Sequence, residues 1–165
     1  MDLSRFENCW FVLQVRPNYE QIVATTLRNR GYEEFLPRVI RSAVLHRPRI
    51  LYPGYVFCRY DSSAKVPIVA TPGVIRIVGN GVTPIPVAEA EIAKIRLIVQ
   101  SKLPAYPWPF VSVGERVRIV AGPLCGLEGI VTKVKDIHRL IVAIDFLQRA
   151  AAVEIEASWV RTVAA

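Results

Sequence analysis

The sequence is poor in the residues that build disulfide frameworks, metal centres and proton-transfer sites. Its 165 residues include three cysteines, two histidines and one methionine. Cys9, Cys58 and Cys125 are odd in number, far apart and set among apolar residues, so they predict free thiols in a reducing compartment. His46 and His138 lack the spacing of metal ligands. We therefore expect no metal and no cofactor.

A long apolar run is also missing. Apolar residues make up 52% of the chain, which suits a packed core, but no stretch approaches the ~18 consecutive apolar residues of a membrane-spanning helix. The N-terminus carries Asp2 and Glu7 and has no signal-peptide core. We expect a cytoplasmic, monomeric protein without membrane contact. Because no phosphate-binding loop, zinc cluster or nucleophile elbow is present, we predict that it is not an enzyme.

Positive charge is the main excess, and it lies in the first part of the chain. The net charge is +7, and residues 1–110 carry 14 basic and 8 acidic side chains. The stretch from Arg38 to Arg49 contains no acid, and its arginines are Arg38, Arg41, Arg47 and Arg49. This stretch is either a solvated surface loop or a basic rim that contacts the phosphates of DNA or RNA.

The first 100 residues predict an α/β sandwich with an antiparallel four-stranded sheet and flanking helices. The segment Trp10–Val15 has the apolar character of a central strand. Asn18 is the predicted N-cap of the next helix, with Gln21 completing a capping box and Gly31 ending the helix. Pro86 is predicted at the first position of a later helix.

A strand predicted at residues 51–60 carries the side chains of greatest functional interest. Pro53-Gly54 bends its start, and alternation places Tyr55, Phe57 and Arg59 on one face of the sheet. Two interpretations of the two rings remain open. They are either ordinary core residues or an exposed aromatic patch that binds a partner.

A proline-rich segment divides the chain. Residues 101–112 interleave prolines with Tyr106, Trp108 and Phe110, which predicts a stiff, extended linker between a first domain at 1–100 and a second at 113–165. The second domain has short Val- and Ile-rich segments separated by glycine turns, which is typical of a small SH3-like β-barrel. The predicted fold class is therefore α+β.

Two sets of motifs resemble one family, the NusG-type transcription elongation and antitermination factors. WFVLQVRPNYE at 10–20, YPGYVFCRY at 52–60 and TPGVIRIVG at 71–79 resemble its N-terminal domain. VGERVRIVAGPLCGLEGIV at 113–131 resembles a KOW domain. The basic stretch, the linker and the LQRAAAVEI ending resemble specialised UpxY-like paralogues of this family.

The resemblance implies a factor that binds the clamp helices of the largest RNA polymerase subunit and suppresses pausing or termination. Tyr55, Phe57 and Ile77 would line the polymerase-binding hollow, with Tyr52 nearby. The KOW domain would recruit the termination factor Rho or a small-subunit ribosomal protein. Its matching contact positions are Leu124, Phe146, Leu147 and Arg149. For the three apolar ones, core packing is an equal alternative.

The positive charge of the first part keeps a second hypothesis open. A ribosome- or RNA-binding KOW protein that acts in translation would also need a basic surface. An uncharacterised enzyme is a distant third.

Overall fold

A computed structural model of the chain describes residues 7–42, 44, 47–61, 65–81, 83–108, 114–136, 139–146 and 149–163. The chain forms two compact units. The first unit comprises Met1–Leu36 and Tyr52–Ala90, and the second comprises Pro37–Leu51 and Glu91–Ala165. These boundaries differ from the predicted ones, because residues 37–51 and 91–100 group with the C-terminal part.

The first unit is built on a four-stranded antiparallel sheet with two helices. Its strands are β1 (Cys9–Val15), β2 (Glu33–Phe35), β5 (Tyr55–Tyr60) and β6 (Val74–Ile77), and its helices are α1 (Glu20–Asn29) and α2 (Lys65–Val69). The order β2-β5-β1-β6 places the two most apolar strands in the middle of the sheet. The sheet predicted from the sequence is therefore confirmed.

One side of this sheet packs against the helices. Alternation along the strands puts Phe11, Leu13 and Cys58 on the same side, where they form a buried cluster with Val23 and Leu27 of α1. Removing a side chain of this kind from water contributes roughly 1.5–3 kcal/mol to stability. The helix-facing cluster is thus the main core of the first unit.

Helix α1 begins two residues later than the predicted cap. Asn18 has a φ of 66°, the left-handed conformation that asparagine tolerates in turns, and the N-cap residue makes no side-chain capping bond. Gln21 donates instead to the Thr25 hydroxyl, 3.0 Å away, so the predicted capping box is wrong. Gly31, at φ 86°, follows the end of the helix as predicted.

The second unit contains a six-stranded antiparallel sheet. Its strands are β7 (Ala105–Trp108), β8 (Glu115–Ile119), β9 (Glu128–Val134), β10 (Arg139–Phe146), β11 (Arg149–Glu156) and β12 (Val160–Thr162), in the order β12-β8-β9-β10-β11-β7. Strands β8 to β12 lie where the sequence predicts the short strands of an SH3-like barrel. The predicted α+β class is confirmed.

Two further elements precede this sheet in the chain. A hairpin of β3 (Arg38–Ile40) and β4 (Pro48–Ile50) forms within the arginine-rich stretch. Helix α3 (Glu89–Ser101) begins three residues after Pro86, so the prediction that Pro86 opens the helix is wrong. No helix in the described part of the chain is long and apolar enough to cross a membrane.

The predicted linker is partly a strand. Strand β7 pairs with β11, where Ala105 lies opposite Val153 and Pro107 lies opposite Ala151. The Glu154 N–H donates to the carbonyl of Pro104 at 3.0 Å, and hydrogen-bonded pairs alternate along an antiparallel ladder. Pro107 therefore occupies a position whose backbone nitrogen points away from β11, where proline removes no ladder bond.

Candidate functional site

The side of the first sheet opposite α1 is rich in aromatic residues, and we call it the aromatic face. The pairing of β1 and β2 with β5 puts eight side chains on this side. They are Trp10, Val12, Gln14, Glu33, Phe35, Tyr55, Phe57 and Arg59. The prediction that Tyr55, Phe57 and Arg59 share a face is consistent with this register.

Phe57 lies at the centre of the aromatic face. Its ring centroid is 6.0 Å from that of Phe35 and 6.3 Å from that of Tyr52. Phe57 is 1% exposed and Tyr52 5%, so both are buried. Tyr55 and Phe35 are partly exposed. The structure thus brings together three of the predicted hollow residues, of which Phe57 and Tyr52 are buried and Tyr55 is partly exposed on the same face as Phe57.

Ile77 does not lie on this face. Its Cα pairs with that of Leu13, and its side chain packs against the helix-facing cluster. The reason is the register of β6, which instead directs Arg76 to the aromatic face, where its Nε donates to Gln14 Oε1 at 2.7 Å. The prediction that Ile77 lines the hollow with Tyr55 and Phe57 is therefore corrected.

A tight turn joins Tyr52 to Tyr55. The Tyr55 N–H donates to the Tyr52 carbonyl at 3.2 Å, and Gly54 has a φ of 85°. Proline at the second position and a positive φ at the third are the features of a type II turn. The Val15 N–H donates to the Gly54 carbonyl at 2.8 Å, which ties the turn to the central strand β1.

Arg59 lies at the other end of the aromatic face, where it contacts three side chains from other elements. Its guanidinium lies 5.7 Å from the centroid of the Trp10 ring and forms ion pairs with Glu33 and Glu89. A surface depression next to these side chains is also lined by Val87 and neighbouring residues. Alternation along a single strand held no signal for these contacts, because Trp10, Arg59 and the two acids lie on four different elements.

Cys58 lies on the helix-facing side of the same strand. Burial, followed by the negative charges of Glu34 and Glu33, raises the pKa of its thiol to about 12. Burial likewise raises the pKa of the Tyr60 hydroxyl. Both groups are therefore neutral at physiological pH, as inert core residues are.

The predicted basic residues lie on the hairpin of β3 and β4. Arg38, Arg41, Arg47 and Arg49 are all exposed. Val39, which lies opposite Arg49, is 4% exposed and anchors the hairpin. The hairpin belongs to the second unit, whereas the predicted first domain at 1–100 included it.

The predicted KOW contact positions are only partly described. Leu124 is fully buried in the turn between β8 and β9, so its side chain is a core residue. Phe146 and Arg149 pair at the end of the β10–β11 ladder, which makes them backbone neighbours. Their side chains, and Leu147 altogether, lie outside the described residues. Within the described ranges, no three His, Cys, Asp or Glu side chains are grouped so that they could hold a metal ion.

An antiparallel four-stranded sheet with flanking helices, followed by a small SH3-like barrel, is the architecture of NusG-type transcription factors. The solved structure described as "Domain interaction in Thermotoga maritima NusG" is similar in fold, with a TM-score of 0.68 at 22% identity over 96% of this chain and 98% of that one. The family model "Transcription termination factor nusG" matches residues 8–96.

Curated relatives agree over nearly the whole chain. The transcription termination/antitermination protein NusG of Lactococcus lactis is 30% identical over 174 residues, covering 94% of this chain and 93% of the relative. That of Helicobacter pylori (strain J99) is 26% identical, covering 93% and 98%. The chain therefore belongs to the NusG family. It is a transcription factor and not an enzyme.

Proposed function

We propose that this factor binds the clamp helices of the largest RNA polymerase subunit through its aromatic face. The observation that supports this proposal most directly is the partly exposed Tyr55 ring on the same sheet face as the buried ring of Phe57, which Tyr52 contacts. A rigid floor limits the side-chain entropy lost when a helix docks on the accessible rings. Aromatic side chains of this kind are enriched among the residues that dominate binding energy.

Binding acts on transcription by shifting a conformational equilibrium. A factor that prefers the closed, elongation-competent clamp lowers the population of paused states, and this shift cannot exceed its differential affinity for the two states. A preference of about 1.4 kcal/mol changes that equilibrium tenfold. Suppressed pausing or termination is the outcome that follows.

Isolated clamp helices provide the test. Tyr55→Ala is expected to weaken their binding about tenfold or more, as truncation of an interface anchor does. Ile22→Ala is the matched control, because Ile22 is 53% exposed on α1, on the opposite side of the sheet. Calorimetric titration measures both. Undiminished binding by Tyr55→Ala would show that the aromatic face is not the contact surface.

We propose further that the second unit recruits a partner, either Rho or a small-subunit ribosomal protein. Phe146 and Arg149 are backbone partners at the paired end of β10 and β11, and arginine and aromatic residues are common binding anchors. Arg149→Glu should abolish capture of the partner. Arg139→Glu, at the opposite end of β10, is the matched control, and equal loss in both variants would point to general charge instead.

The exposed hairpin arginines are proposed to contact the phosphates of DNA or RNA near the polymerase. Replacing Arg47 and Arg49 by alanine should reduce the salt dependence of complex formation, by up to about 0.9 in slope for each lost phosphate contact. The control removes Arg116 and Arg118, which lie on β8. RNA binding with a steep salt dependence, together with absent clamp binding, would support the translational role instead.

A further inference from the structure

A carboxylate on α1 reaches the turn that carries the accessible tyrosine. Glu20, the first residue of α1, is 6% exposed. Its Oε1 accepts a hydrogen bond of 2.8 Å from the N–H of Gly54, which lies 34 residues further along the chain. An ionised carboxylate is rarely buried unless its hydrogen bonds repay the lost hydration. This contact therefore requires an explanation.

The geometry of the turn gives the bond a specific effect. In a four-residue turn the central peptide can adopt either of two orientations, which define types I and II and differ by about 180°. Here the central peptide joins Pro53 to Gly54, and its N–H points away from the bond between Tyr55 and Tyr52. Because the Glu20 carboxylate receives that N–H, it stabilises one orientation only.

The Gly54 carbonyl is held as well, by the Val15 N–H at 2.8 Å. Both polar groups of Gly54 are therefore fixed, one by α1 and the other by β1. Glycine is required here for its φ of 85° and not for lack of space, since an added Cβ would meet its nearest atom only at 3.9 Å. The backbone leading into Tyr55 is thus set from two sides.

We propose that Glu20 is a positioning residue of the aromatic face, which locks the Pro53-Gly54 peptide and thereby fixes the placement of Tyr55. The proposal rests on the proposed function where it concerns the polymerase. Its first part concerns the turn alone and is tested without a partner.

A simpler role would be a favourable charge at the positive end of the α1 dipole. That role needs a carboxylate near the helix start but no acceptor at Gly54. Glutamine discriminates between the two, because Glu20→Gln removes the charge and keeps an oxygen that accepts from Gly54. Glu20→Ala removes both. Glu34→Gln is the control, since Glu34 accepts from Arg28 Nε at 3.0 Å and is remote in sequence from the turn.

Amide hydrogen exchange at Gly54 and clamp-helix affinity are measured on the full chain with each variant. We expect Glu20→Ala to speed Gly54 exchange about tenfold or more and to weaken binding about tenfold, as loss of a charge-assisted bond does. Glu20→Gln should stay within about threefold of the unsubstituted chain in both measurements. Glu34→Gln should change neither.

Unchanged Gly54 exchange in Glu20→Ala would overturn the lock. Equal losses of binding in Glu20→Gln and Glu20→Ala would also overturn it, in favour of the dipole role. If the unsubstituted chain fails to bind the clamp helices while Gly54 exchange responds as expected, the polymerase assignment fails and the lock itself is supported. Should Glu20→Ala not fold, Glu20→Asp, whose shorter side chain draws back from Gly54, takes its place with the same expected direction.

Discussion

Two buried strands of this factor, β1 in the first sheet and β11 in the second, carry side chains of very different size. The first sheet buries large residues on both sides, among them Trp10, Leu13 and Phe57. In the second, the buried run of β11 is Ala150–Val153, and each of its residues is 0% exposed. Strand β1 therefore depends on large side chains that fill volume, whereas the alanine run of β11 leaves little room for larger ones.

Gly54 and Gly122, one turn glycine from each unit, differ in what requires the glycine. At Gly54 an added Cβ would have space, so only the positive φ requires glycine. At Gly122 the φ is 80°, and an added Cβ would also lie 2.6 Å from Trp159 Cε3. A glycine in the second unit thus serves packing as well as conformation. Substitutions that change side-chain size in each unit test whether filled volume or lack of space limits its stability.

Truncation in the first sheet should have the largest effect. Leu13→Ala is expected to lower the free energy of unfolding by about 2–5 kcal/mol, because it removes a fully buried side chain and leaves a cavity. Urea titration followed through the amide signals of β1 measures this. The exposed Ile22→Ala should change stability by less than about 0.5 kcal/mol. A loss in Leu13→Ala as small as in that control would refute the role of volume.

A methyl group at Gly122 should be nearly as harmful. Gly122→Ala combines an unfavourable φ with a clash against Trp159, and we expect a loss of about 2–4 kcal/mol. Gly126→Ala is the matched control, since its φ of 98° is equally unfavourable but no atom lies within 4 Å of an added Cβ. Thermal unfolding compares them. Equal destabilisation would mean that conformation alone requires these glycines.

Enlargement should affect the second sheet more than the surface of the first unit. Ala151→Leu is expected to destabilise by about 1–3 kcal/mol, because β11 has no room for a longer side chain. Ala70→Leu, at an exposed position, serves as control. If denaturant titration finds Ala151→Leu neutral, β11 is not closely packed.

Alkaline pH should lower the free energy of unfolding of the first unit through ionisation of the Cys58 thiol. Its pKa of about 12 in the folded chain exceeds the usual value of 9.0, so above pH 9 the unfolded chain loses this proton first and stability falls as pH rises. The slope reaches at most about 1.4 kcal/mol per pH unit for one group. Stability measured from pH 8 to 11 should decline less in Cys58→Ala. Cys125→Ala, at an exposed position, should follow the unsubstituted chain, and identical slopes in all three would exclude this linkage.

The smallest effect is expected at the edge of the second sheet. Pro107→Ala should change stability by less than about 0.5 kcal/mol, because proline removes no bond to β11 at this position. Tyr106→Pro, one residue earlier, removes a donor that faces β11 and should expose the edge. Hydrogen exchange of the Ala152 amide measures the effect of both substitutions on the pairing of β7 with β11. A clear gain of stability in Pro107→Ala would show that the ladder alternates the other way, because the new N–H would then bond to β11.

Local patterns predicted the elements that rely on neighbours in sequence. Alternation predicted the two faces of β5, and short β-branched runs predicted the strands of the barrel. Ile77 was misplaced because its face depends on the register of β6 against β1, and a bulge between Gln14 and Val15 shifts that register. No periodicity reveals such a shift.

Interactions between segments that are distant in the sequence could not be predicted from it either. The proline-rich segment becomes a strand only because β11 offers its edge nearly fifty residues later, and nothing local indicates this pairing. The bond from Gly54 to Glu20 is of the same kind, since each residue is unremarkable in its own segment. Asn18 illustrates a local ambiguity, because asparagine suits a helix cap and a left-handed turn equally well.

The pairing of β7 with β11 also sets the length of the connection between α3 and the second sheet. Helix α3 ends at Ser101 and β7 begins at Ala105, so about 10 Å of extended chain separates the helix from the sheet while the strand is paired. With β7 lifted off, residues 102–114 would join α3 to β8 and could stretch over roughly 40 Å. Pairing of this short strand with β11 therefore shortens the connection between α3 and β8.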